Sequence, residues 1–230
     1  MKRIGTAVLL VAMLGIPAAA RAGTVTLTDW TTGDFATNAP GGGGAFLATT
    51  AGGDPVLGNI SFLTFCLEYN EHFSYSGTYN FTLSDGAVQG GVAGGNPDPV
   101  SDATKWLYYQ AISGGYVSVF SAIGAAVTHA GSHIQQAIWY MEEERSDTQI
   151  SSIALALANH ANSTPQLTEW ASLQSQGHRV YAMNLTTLNG GVAQDQLAHT
   201  VPEPGTFVLA SAGLSLLGLA SARVRRRRED

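Results

Sequence analysis

From Pro204 to Ala222 the chain runs 19 residues without a charge, and five arginines fill the next six positions. A membrane helix needs ~20 apolar residues. A basic cluster directly behind such a span holds that end in the cytoplasm, and glycines such as Gly205, Gly213 and Gly218 are tolerated inside it. A buried core helix would not explain the arginines. The opposite end carries a second apolar run, from Ile4, preceded by Lys2 and Arg3 and followed by Pro17 and Ala20-Arg21-Ala22. A charged start, a short apolar core and an A-x-A ending describe a secretory signal peptide over residues 1–22, too short for a comfortable span. What must fold in water is therefore confined to residues 23–200.

That middle section is acidic. Between residues 23 and 201 stand 14 acidic residues against Lys105, Arg145 and Arg179, a net charge of about −11; the whole-chain value of −6 conceals this, because the other basic residues sit in the two ends. Phosphate binding needs lysine and arginine, so nucleic acid is excluded as a partner. The length suits one domain with its own core.

Residues 24–30 alternate Val25 and Leu27 with polar neighbours and predict a strand. Residues 39–55 read as a glycine-rich loop without the Gly-Lys-Ser/Thr ending of a phosphate loop. The aromatic and β-branched stretches 60–69 and 73–84 predict strands, paired with each other. After a second loop at 86–99, Ser101 or Asp102 caps a helix that stops at Gly114-Gly115. Residues 116–127 fit strand or helix equally. Ser132 is placed to cap a helix through Glu144, whose Glu142, Glu143 and Glu144 read as a solvated end. Ile150, Ile153, Ala154, Leu157 and Ala158 share one face of a further helix. A shorter helix spans Leu167–Leu173, and 178–188 reads as a closing strand. Strands first, a helical insertion, and a strand at the end predict a single α+β domain.

Val201-Pro202-Glu203-Pro204, the apolar span and the arginine run together resemble the PEP-CTERM sorting signal. The resemblance implies a bacterium with an outer membrane that makes exopolysaccharide. It implies that an exosortase in the inner membrane recognises Pro202, Glu203 and Pro204 and removes the tail, and that the protein goes to the cell surface or is released. The parts are the motif at 202–204, a transmembrane helix at 205–222 and a basic tail at 223–228.

Cys66 is the single cysteine. An exported chain with an odd cysteine leaves four readings: an inert buried thiol, an intermolecular disulfide, a catalytic nucleophile, or a covalent bond to some other side chain. None of the six histidines sits in a catalytic signature. The sequence shows no D-x-D-x-D-G calcium loop and no zinc pattern, so no cofactor is expected. In the helix that follows Ser132, Ile134, Ala137, Ile138 and Met141 form an apolar face. Gln135 lies at its edge, and Gln136 points away with Tyr140 and Glu143. A glutamine at a core boundary needs hydrogen-bond partners.

Phe65-Cys66-Leu67 and Ile134-Gln135-Gln136-Ala137-Ile138-Trp139, in that order, resemble the thioester domains of bacterial surface adhesins, with Ile134 where that family usually has threonine. The resemblance implies a bond between Cys66 sulfur and the Gln135 side-chain carbonyl, formed with loss of ammonia. It implies an adhesin that captures amine-bearing protein or polysaccharide targets covalently and does not turn over, hence not an enzyme. Phe62, Phe65, Leu67, Ile138 and Trp139 are the expected dry surround, and Glu68 and His133 the candidate proton carriers, although Glu68 also reads as a solvated strand residue. The rival reading is a non-covalent structural protein of the extracellular polysaccharide or biofilm matrix, with Cys66 merely packed.

Overall fold

A computed structural model describes residues 23–36, 43–88, 91–93 and 95–200. The predicted signal peptide and the whole sorting segment from 201 lie outside the described residues. Among the described residues no helix is long and apolar enough to cross a membrane.

The architecture is α+β, with one six-stranded antiparallel sheet in the order β3-β2-β1-β4-β7-β8. Its strands are β1 Gly23–Asp29, β2 Phe46–Ala51, β3 Ser61–Thr64, β4 Thr78–Ser84, β7 Arg179–Thr187 and β8 Val192–Thr200. A two-residue ribbon, β5 Gly86–Ala87 and β6 Asp98–Pro99, follows β4. Strand β1 behaves as its alternation dictates: Val25 and Leu27 are buried while Thr24, Thr26 and Thr28 are half-buried.

The strand expectations need three corrections. The stretches 60–69 and 73–84 do not pair with each other; β3 pairs with β2, and β4 lies between β1 and β7. Residues 46–51, read as part of a glycine-rich loop, form β2. The closing strand is a hairpin, because β8 returns along β7. β8 lacks a clear apolar alternation, so the local pattern concealed it.

The two ends of the sheet meet. Leu67 N donates to Asp195 O at 3.0 Å, Leu197 N donates to Phe65 O at 3.0 Å, and Thr64 Oγ1 donates to Leu197 O at 2.7 Å. Cys66 and Gln196 form the bridge between those bonds. The segment that follows β3 thus bridges to β8 over a short stretch and draws the two ends of the sheet together. One core fills the inside, with Val25, Leu27, Ala48, Tyr79, Phe81, Met183 and Leu185. The opposite face of β3 and the segment after it, with β7 and β8, carries Leu63, Phe65, Leu67, Val180, Ala182 and Leu197 into a larger core built with the helices.

Those helices are α1 Asp102–Ser113, α2 Tyr116–Ala122, α3 Ala130–Met141, α4 Ser152–Ala161 and α5 Thr164–Ser175. Ser101 caps α1 by accepting from Thr104 N, and Gly114 ends it at φ 83°. Residues 116–122 resolve as helix. Helix α3 starts at Ala130, two residues before the predicted cap, behind His129 in the left-handed region. Ser151 caps α4 through Ala154 N, and α5 is longer than predicted.

The acidic end of α3 is the other correction. Glu144 is 4% exposed and anchors loops, accepting from Tyr69 N at 2.8 Å, Val92 N at 2.8 Å and Ala93 N at 3.3 Å. Glu142 accepts from Ser101 N and from Ser101 Oγ. Carboxylates that satisfy several backbone donors are buried for that purpose, whatever their reading in isolation.

Candidate functional site

Cys66 stands two residues past the point where β2 ends. The last β2–β3 pair is Phe46 with Thr64, so Cys66 has no β2 residue opposite it. On its other side it faces Gln196 in a bridge whose backbone bonds belong to the flanking residues. Its own N–H and C=O therefore point to where β2 would have continued. The Gln135 side chain fills that place. Cys66 N donates to Gln135 Oε1 at 2.9 Å, and Gln135 Nε2 donates to Cys66 O at 2.8 Å. The amide of Gln135 stands in for a strand neighbour, satisfying both polar groups of a residue that is wholly buried.

Helix α3 brings Gln135 there. Ile134, Ala137 and Ile138 are fully buried in the helical core, which fixes the rotation of the helix. Gln135 is also fully buried, deeper than its predicted edge position. Gln136 does not point away: it is 6% exposed, accepts from Ser151 N at 2.8 Å and donates to Ser132 Oγ.

The thiol lies in a small aromatic cluster with Phe46 and Trp139, flanked by Tyr69 and Phe73. Tyr69 meets Trp139 edge-on at 5.0 Å, and the Arg145 guanidinium stacks 4.2 Å above Tyr69. Of the predicted dry surround, Trp139 packs here. Phe65 and Leu67, which flank Cys66 and point to the opposite face of the strand, join Ile138 in the helical core, and Phe62 packs against the core inside the sheet. Gly43 closes the site from above: a Cβ there would stand 2.2 Å from Trp139 and 3.1 Å from Gln135 Cγ. Only glycine lets that backbone approach so closely, which gives one residue of the glycine-rich loop a defined place.

Gln196 Nε2 donates to Cys66 Sγ at 3.4 Å. Burial pushes the thiol up to about 12; the Gln196 hydrogen bond pulls it down and the charge of Glu68 pushes it up again. At neutral pH the sulfur is protonated and shut away from water.

Glu68 is 5% exposed, which corrects its reading as a solvated strand residue. It belongs to a carboxylate trio: oxygens of Glu68, Glu71 and Asp195 lie within 4.8 Å of one another. Burial, then the charges of Asp195 and Glu71, raise Glu68 to about 9; burial raises Glu71 to about 7 and Asp195 to about 6. Oxygen donors of this kind suit a hard divalent cation. Asp195, however, already accepts from Val88 N and Leu185 N through its two oxygens, and Glu68 accepts from Asp195 N. The Leu185 bond stitches a register shift in β7–β8, where Gln194 and Asp195 together face Asn184.

His133 is not part of the cluster around Cys66. Its Nδ1 lies 2.9 Å from Ser151 Oγ, its ring faces Phe120, and burial lowers its pKa. Sequence reasoning missed Gln196, Gly43 and Phe46, and also the anchoring role of Glu144. The only signal for Gln196 is that Gln194-Asp195-Gln196 interrupts a β-compatible stretch with three polar residues. Two clefts lie elsewhere and Cys66 lines neither: one of about 380 Å³ along Asn80, Thr82 and Asn184, and one of about 440 Å³ beside Tyr140 and Asn162.

Residues 200–227 match the family described as the PEP-CTERM protein-sorting motif. No curated protein and no solved structure matches the chain. The match begins at Thr200, the last residue of β8, and the rest of it lies outside the described residues, so it does not bear on the chemistry around Cys66. It does fix the destination: this chain carries a PEP-CTERM motif and is an exported protein that exosortase processes at the membrane and sorts to the cell surface or the extracellular space.

Proposed function

We propose that the folded domain is a surface adhesin that stores an internal thioester between Cys66 and Gln135 and uses it once, to attach covalently to an amine-bearing target. The observation that carries this reading is the pair of hydrogen bonds, 2.9 and 2.8 Å, that holds the Gln135 amide against the Cys66 backbone. An amide is a poor electrophile, and contact of this kind supplies what it lacks. Intramolecular reactions between well-oriented groups reach effective molarities of ~10⁵ M or more. The Cys66 N–H points at Gln135 Oε1, where negative charge develops as sulfur attacks, and so acts as an oxyanion donor. The closed aromatic surround keeps water from hydrolysing the product.

An amine on the target attacks the Gln135 carbonyl, forms an amide and releases the Cys66 thiol. The covalent product outlasts any non-covalent complex. Each molecule reacts once, so the domain is not a turnover catalyst. Export to the surface places such a stored electrophile where targets are met.

Intact mass spectrometry of freshly purified protein tests the reading. The expected mass is lower than that of the processed chain by one ammonia, and methylamine adds its own mass while freeing one thiol. A full mass with a free thiol from the outset rejects it. A second reading is favoured by the wholly buried thiol, raised to about 12: Cys66 is inert packing in a non-covalent structural protein of the extracellular matrix. Cys66→Ala separates the two. The matrix role survives that change; covalent capture does not.

A further inference from the structure

We propose that Gln196 is a catalytic residue of this site, donating from Nε2 to Cys66 Sγ and holding negative charge on that sulfur when it attacks Gln135 and again when an amine expels it. The inference rests on the thioester reading.

Gln196 is an expensive choice at its position. It is 0% exposed and sits directly across the bridge from Cys66. Its Nε2 reaches Cys66 Sγ at 3.4 Å and Gln194 O at 3.3 Å. Gln194 O can only accept, so the atom facing it is the amide nitrogen, and the same nitrogen faces the sulfur. That orientation leaves Oε1 buried with no hydrogen-bond partner among the described residues. An unpaired buried acceptor costs stability, and a methionine or leucine would fill the space without that cost. The residue is explained by what its N–H touches. Among the described residues Gln196 makes the one hydrogen bond to Cys66 Sγ, and that bond favours a charged sulfur where burial opposes it.

The chemistry balances without an oxidant or reductant. Cys66 S–H adds to the Gln135 Cδ carbonyl, the S–C bond forms, the C–N bond breaks, and the thiol proton leaves with the nitrogen as ammonia. In capture, an amine R–NH₂ adds to the same carbon, the C–S bond breaks, and the proton lost by the amine ends on Cys66. Sulfur carries negative charge in both transition states. A fixed N–H aimed at it is stabilising there and nearly idle in the resting thioester, which is the condition for catalysis.

Gln196→Met tests this in the full exported protein, with unfolding midpoint, ammonia deficit and the rate of opening by methylamine read together. The expected variant is as stable as the parent or more so, forms less of the thioester in a fixed time, and opens about tenfold or more slowly, less than the ~10²–10³ lost with a full oxyanion-hole donor because the 3.4 Å bond to sulfur is longer. Gln196→Asn, whose shorter amide cannot reach the sulfur, gives the same kinetic result if the methionine variant fails to fold. Parent-like formation and opening in a folded variant overturn the role of Gln196 and leave the thioester standing. Absence of the ammonia deficit in the parent overturns both.

Discussion

Replacing Gln135 by leucine removes the two hydrogen bonds that stand in for a missing strand, and the cost can be worked from the geometry. The comparison belongs in a Cys66→Ala background, where no covalent bond contributes and both backbone groups at position 66 remain. Leucine fills most of the space, so the loss is polar. It leaves one N–H and one C=O buried and unsatisfied, at 0% exposure and with no solvent to replace the amide. Each such group costs about 1–3 kcal/mol, so the double variant should be less stable than Cys66→Ala by roughly 2–6 kcal/mol. That is a large part of the 5–15 kcal/mol typical of a domain. It corresponds to a fall in Tm of about 5–20 °C for a domain of this size. Urea unfolding followed by tryptophan fluorescence measures it. Gln135→Glu in the same background sharpens the test. A protonated carboxyl reproduces the amide pattern of one acceptor and one donor, whereas a carboxylate turns a second negative oxygen toward the Cys66 carbonyl. Its folded pKa should lie above the ordinary value of ~4.3. Stability near that of Gln135 is therefore expected at low pH and is lost as pH rises through the folded value. A penalty under about 1 kcal/mol for leucine, with no pH dependence for glutamate, would refute the strand-surrogate role.

Gly43→Ala drives a Cβ to 2.2 Å from fully buried Trp139, so overpacking of about 1–3 kcal/mol is expected, with a smaller fraction of molecules lacking ammonia; a variant with parent stability and a full ammonia deficit would show that Gly43 does not seat on the site. The carboxylate trio makes alkaline conditions destabilising. Glu68, Glu71 and Asp195 are raised to about 9, 7 and 6, so their contribution is complete below the ordinary carboxylate range near pH 4 and is lost as pH rises through 6 to 9. Thermal unfolding between pH 5 and about 9 should show a falling midpoint, and Glu68→Gln should flatten it; a midpoint that rises over that window would contradict the arrangement.

Local rules were enough for much of the domain. The alternation of β1, the serine cap of α1 and the left-handed Gly114 behind α1 depend on neighbours within a few residues, and each was legible. The pairing of strands was not, because the register that joins β3 to β8 links positions some 130 residues apart, as in the Cys66–Gln196 contact. β8 illustrates the difficulty. Gln194, Asp195 and Gln196 look like loop residues and are 5%, 2% and 0% exposed, since their hydrogen-bond partners are supplied by distant strands. Glu144 misled for the same reason.

For the candidate site, the order of motifs named Cys66 and Gln135, and Trp139 was named with them. His133 fell outside because its ring is drawn toward Ser151 and Phe120. Nothing local announces that β2 stops two residues short of Cys66, yet that gap is what a glutamine side chain fills.

The sequence by itself determined the destination of this protein, because a sorting signal is a linear string read by a membrane and a processing enzyme. It also determined the boundaries of α1, set by Ser101 and Gly114. Tertiary structure alone decided that the two ends of the sheet meet at Cys66, that Gln196 reaches the sulfur and that three carboxylates gather within 4.8 Å of one another. Those outcomes depend on burial and on satisfying polar groups far apart in the chain, which no short window of residues contains.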